Sequence, residues 1–87
     1  MENQSILIVE DNGSLRRFMA KTLEKVGFRI VQARSGAEAY AALPRDYYDL
    51  VLLDLALGDA DGIDILKTIR RQDELLPVIV VSSCAET

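Results

Sequence analysis

The chain has 87 residues, 49% of them hydrophobic and 28% charged, which is enough for one domain with a small core. Fourteen acidic against ten basic side chains leave a formal charge of −4, so there is no broad positive surface for a nucleic-acid backbone. A lone cysteine, Cys84, excludes an internal disulfide, no leader-like stretch opens the chain, and the apolar runs are too short for a membrane span, so a soluble cytoplasmic setting is expected.

The segment Ile6-Leu7-Ile8-Val9 is apolar without alternation, the pattern of a strand covered on both faces, and it ends abruptly in Glu10-Asp11. Leu15, Phe18, Met19, Leu23 and Val26 then fall at helical spacing. Ser14 or Asn12 is the expected N-cap and Gly27 the terminator. Met19, Leu23 and Val26 are expected to fill the core-facing stripe, leaving Leu15 and Phe18 partly exposed. Residues 28–33 (FRIVQA) read as a second strand, and residues 36–43 as an alanine-rich helix that Pro44 ends. Tyr47-Tyr48 reads as a connection shielding the lower edge of the sheet. LVLLD, residues 50–54, is a third strand. Gly62 opens a third helix with Ile63, Leu66 and Ile69 on one stripe and Ile65 beside it. After Pro77 comes a fourth strand, VIVVS. Strands alternating with helices imply right-handed crossovers and a parallel sheet, in which functional groups gather at the carboxyl ends of the strands.

Three of those ends are polar. The first strand delivers Glu10-Asp11, the third Asp54 and the fourth Ser82-Ser83 to one edge. Two carboxylates ~5 Å apart repel by roughly 3 kcal/mol at an effective dielectric near 20, so a cation is expected among them. Oxygen ligands suit a hard ion, and Mg2+ characteristically combines few carboxylates with a phosphate. The aspartate-rich stretch LALGDADG is not a calcium loop: with Gly62 at the sixth position, Leu57 and Thr68 occupy the first and twelfth, where that motif needs ligands.

IVEDN after the first strand, LVLLDLALGDADGIDIL and PVIVVSS together resemble the receiver domain of two-component response regulators, at matching spacing over all 87 residues. The resemblance implies an α/β, flavodoxin-like, doubly wound parallel sheet of order 2-1-3-4. It implies that Asp54 accepts a phosphoryl group from a sensor histidine kinase or phosphotransfer protein. Glu10, Asp11, Asp54 and the backbone carbonyl of Ala56 would hold Mg2+. Ser82 would be the hydroxyl that senses the phosphoryl group, and the signal would pass to a downstream output such as transcription. Asp61-Gly62 matches the turn into the third helix, where Asp61 caps and Gly62 gives backbone freedom. From the way receivers dock, Leu15 and Phe18 are expected to meet the phosphodonor protein.

There are departures. Gly58 stands where the family usually has proline, and Ser83 where a small apolar residue is commoner. The 87 residues stop before the family's fifth strand and its lysine, so residues 1–87 are expected to be an incomplete receiver domain. The edge of the fourth strand is expected to be bare, and self-association through it would repair it. Asp59 and Asp64 are expected to be solvated. Two other readings stay open: a receiver-like module that takes no phosphate, and a small hydrolase using Asp54 as nucleophile. The second lacks the acid expected two positions on, since Ala56 stands there.

Overall fold

The five residues Ser5–Val9 form strand β1, and every one of them is buried. In the computed structural model, which describes residues 4–81, β1 is followed by α1 (Gly13–Val26), β2 (Arg29–Ala33) and α2 (Gly36–Ala42). A 3-10 turn (Leu43–Arg45), β3 (Leu50–Leu53), α3 (Gly62–Gln72) and β4 (Val78–Val80) complete the order. All strand pairs are parallel and the sheet order is β2-β1-β3-β4, as the resemblance implies. Ser82 and Ser83, expected at the end of the fourth strand, lie outside the described residues, in which β4 ends at Val80. None of the described helices is long and apolar enough to cross a membrane.

The central strand β1 needs no polar face because helices cover both of its sides. Leu7, Val9, Val51 and Leu53 point to one face, where they pack with Ala39 of α2 and Ile65 and Ile69 of α3. Ile6 and Ile8 point to the other, against Ala20 of α1, with Met19, Leu23 and Leu52 partly buried around them. Alternate side chains of one continuous apolar run thus serve two cores.

The helix ends follow local chemistry. Asn12, the second of the two N-cap candidates, accepts the Leu15 N–H at 3.0 Å through Oδ1. Gly27 closes α1 in the left-handed region at φ 115°, where glycine alone carries no Cβ penalty. At α2, Ser35 Oγ accepts the Glu38 N–H at 3.1 Å. Pro44 ends α2 as expected, but it does so from inside the 3-10 turn.

Two helix faces differ from expectation. In α1 the buried residue is Ala20, and Val26, expected in the core stripe, is exposed. The small side chain sits where the helix approaches the sheet, and Phe28 packs against that cluster at the far end. In α3, Ile65 and Ile69 are fully buried while Ile63 is 40% exposed, so the stripe runs through Ile65. Of the two tyrosines, Tyr48 is half-buried and donates its hydroxyl to Ala42 O at 2.8 Å, whereas Tyr47 is exposed and shields nothing.

Candidate functional site

The register of β1 decides what meets at the carboxyl edge. Val9 pairs with Ala33 on one side and Leu53 on the other, so the next residues of the two inner strands, Glu10 and Asp54, emerge side by side. Their backbones are fixed: Glu10 N donates to Ala33 O at 3.0 Å and Asp54 N to Val9 O at 2.9 Å. Both side chains are 1% exposed, and Asp11, one residue on, is exposed. One carboxylate oxygen from each of Glu10, Asp11 and Asp54 lies within 4.8 Å of the others.

Each buried carboxylate is half satisfied. Asp54 Oδ1 accepts from Ala56 N at 3.0 Å and Glu10 Oε2 accepts from Asn12 N at 3.1 Å. Asp54 Oδ2 and Glu10 Oε1 are buried and take no hydrogen bond from the described residues. A buried anionic oxygen without a partner is costly, and a hard cation satisfies several at once. The donor set therefore fits a metal ion. Burial pushes the Glu10 carboxyl up to about 6, with the Asn12 N–H opposing and the Asp54 carboxylate adding to the rise. Arg16, on the first turn of α1, braces this corner. Its Nη1 donates to Glu10 O at 3.0 Å and its Nε to Gln32 Oε1 at 3.1 Å.

The loop after Asp54 is shaped by short-range bonds. Asp61 Oδ1 accepts from Ile63 N at 2.9 Å, the expected cap of α3. Ala56 and Asp61 form an isolated antiparallel bridge, and Gly62 N donates to Leu55 O at 3.2 Å. Gly62 is required for space, because a Cβ there would overlap Leu55 Cα and lie 3.0 Å from Asp54 O; its φ is not positive. Asp59 is not merely solvated. Its oxygens accept the N–H groups of Gly36 and Ala37 at 2.8 and 3.0 Å, and these bonds hold its carboxyl below the usual range.

Glu10, Asp11 and Asp54 are thus brought together, with Ala56 bonded to the last of them. Ser82, together with Ser83 and Cys84, lies outside the described residues. Leu15 is half-buried and Phe18 is 67% exposed on α1, away from the core stripe. Arg16 and Asp59 had no functional reading in the sequence, since their partners come from other strands and helices. A cleft of about 480 Å³ lined by Pro44, Tyr47, Tyr48 and Leu76, with Asp46 and Asp73 at its wall, includes none of Glu10, Asp11 and Asp54. It is formed by segments leading into β3 and β4, at the other end of the sheet from Asp54.

Comparison with known proteins gives a consistent family. The model of the response regulator receiver domain matches residues 6–87. The chain is similar to sporulation initiation phosphotransferase F of Bacillus subtilis, with 36% identity over 86 residues, covering 99% of this chain and 69% of that protein. Three probable transcriptional regulators are longer, and the chain spans about a third of each. Among solved structures, the non-phosphorylated HemR receiver domain of Leptospira biflexa superposes with a TM-score of 0.90 at 30% identity, over 98% of this chain and 68% of that one. The response regulator TrrA of Thermotoga maritima, solved in complex with Mg2+ and beryllium fluoride, gives 0.87 at 27% identity, over 94% and 71%.

Proposed function

The chain belongs to the response regulator receiver family, a class of regulatory phosphorelay domain, and on that premise we propose that Asp54 is its phosphoacceptor. The observation that carries the reading is the Asp54 carboxylate itself. It is 1% exposed, held at Oδ1 by the Ala56 N–H, unbonded at Oδ2 and flanked by Glu10 and Asp11. Phosphoryl transfer to a carboxylate needs alignment and charge neutralisation more than a proton carrier.

In this reading Asp54 Oδ2 attacks the phosphorus of the donor. The bond from phosphorus to the donor's imidazole nitrogen breaks, the electron pair stays with the donor, and an acyl phosphate remains on Asp54. Ala56 N–H fixes which oxygen is free. Glu10, Asp11, Asp54 and the Ala56 carbonyl are the groups that would hold Mg2+, which supplies the positive charge the crowded oxygens need. Support for Mg2+ is the chemistry of the donor set, together with the Mg2+ and beryllium fluoride bound by the Thermotoga maritima regulator. Ser82 is assigned the phosphoryl hydrogen bond by the resemblance alone.

The phosphodonor is a sensor histidine kinase or phosphotransfer protein, and the exposed ring of Phe18 with its neighbour Leu15 forms the docking face. Relatives described as transcriptional regulators make transcription the leading output. The bare side chains of Ile79 and Val80 on β4 support self-association at that edge. The test is titration with acetyl phosphate or beryllofluoride in Mg2+, read by mass and fluorescence. One phosphoryl group per wild-type chain and none on Asp54→Asn is the expected result. Turnover of phosphate esters would support a hydrolase instead, and silence of the wild type would support an inert module.

A further inference from the structure

Residues 55–60 carry the chain from Asp54 into α3. Among the described residues, their hydrogen bonds to any other part of the fold run through one side chain. Asp59 Oδ1 accepts from Gly36 N at 2.8 Å and Oδ2 from Ala37 N at 3.0 Å, at the start of α2. The first N–H groups of a helix have no partner within it, so these bonds meet a standing need on both sides. The remaining polar contacts of the loop are local to residues 54–62. Its buried apolar anchor is Leu57, with Leu55 and Ala60 packed partly buried against the same cluster shared with α2 and α3.

Between Leu57 and Asp59 the backbone has open space around it. A Cβ built on Gly58 meets nothing within 4 Å, and its N–H donates no bond among the described residues. The contact with α2 is close in contrast, since a Cβ on Gly36 would overlap that of Ala60 and lie 3.2 Å from Asp59 Oδ1. The same α2 follows directly from β2, whose last residue, Ala33, takes the Glu10 N–H. Hydrogen bonds and the short chain segments 33–36 and 54–59 therefore close a circuit through Glu10, Ala33, Gly36, Asp59 and Asp54.

We infer that Asp59 is a positioning residue, clamping the Asp54 loop to the first turn of α2 so that Ala56 and Asp54 stay aligned with Glu10 and Asp11. The inference rests on the phosphoacceptor reading of Asp54. Freed of the clamp, the loop spends less time in the competent arrangement, and apparent affinity for a phosphoryl mimic falls by that fraction.

The test measures beryllofluoride affinity in saturating Mg2+, and amide hydrogen exchange at Gly36, Ala37 and residues 55–60 without metal. Asp59→Ala is expected to weaken beryllofluoride roughly 3- to 10-fold and to speed exchange across the loop and at both α2 amides. Asp59→Asn keeps one acceptor oxygen and should fall between; it also serves if Asp59→Ala fails to fold. Gly58 has no positive φ, so Gly58→Pro can stiffen the loop. Added to Asp59→Ala, it should recover much of the lost affinity while the α2 amides stay unprotected. Wild-type binding with unchanged affinity in Asp59→Ala overturns the clamp alone. So does a loss that Gly58→Pro does not relieve and that leaves loop exchange as it was. A wild type that binds no beryllofluoride overturns the phosphoacceptor reading, and the clamp with it.

Discussion

Glu10 is held near 6 by burial, with the Asp54 carboxylate adding to the rise, so the folded protein keeps a proton that the unfolded chain releases near 4.5. The stability this contributes is present in full below pH 4.5 and is lost as pH rises through 6, a change of about 2 kcal/mol. Glu10→Gln is therefore expected to stabilise the metal-free protein at pH 7.5 by about 1–2 kcal/mol and to flatten its pH profile, measured by urea unfolding. Mg2+ should then stabilise the wild type more than the variant, because the variant has one carboxylate fewer beside Asp11 and Asp54 to hold the ion. Asp59 has the opposite sign. Its carboxyl is depressed by the Gly36 and Ala37 N–H groups, so its contribution is present above 3.8 and disappears in stronger acid. Glu10, Asp11 and Asp54 were legible in the sequence because each follows an apolar run. Asp59 was not, because its partners lie 23 and 22 residues away and nothing in LGDADG points to them.

At the scale of the element, α3 shows where periodicity runs out. Its aliphatics Ile63, Ile65, Leu66 and Ile69 cover more than one face, so spacing alone leaves the buried stripe open. Its choice is fixed by how the helix leaves the loop: Gly62 presses against Leu55, Asp61 caps the first turn, and Ile65 is turned onto Val51 and Leu53. Ile65→Ala is expected to cost about 2–5 kcal/mol and Ile63→Ala less than about 1 kcal/mol, in paired denaturant titrations. The reverse order would restore the stripe read from spacing. The helix boundaries and caps, by contrast, were readable at Asn12, Gly27 and Asp61, since capping is a property of a few adjacent residues.

Across the whole molecule, alternation of strands and helices was enough to predict a parallel sheet, while the order β2-β1-β3-β4 came with the family resemblance. The central strand is the first one in the chain. β1 has β2 on one side and β3 on the other, and all five of its residues are buried between them and the covering helices. A fragment ending at residue 49 has lost one neighbour, Val51 and Leu53 of the shared core, and all of α3. It is expected to lack cooperative thermal unfolding by circular dichroism, whereas the 87-residue chain should show it. During translation at about 5–20 residues per second, Ile6 to Val9 leaves the ribosome roughly 2 to 10 s before Leu50–Leu53 can cover it. The segment that later places Glu10 beside Asp54 is therefore the one a nascent chain must keep from its neighbours longest.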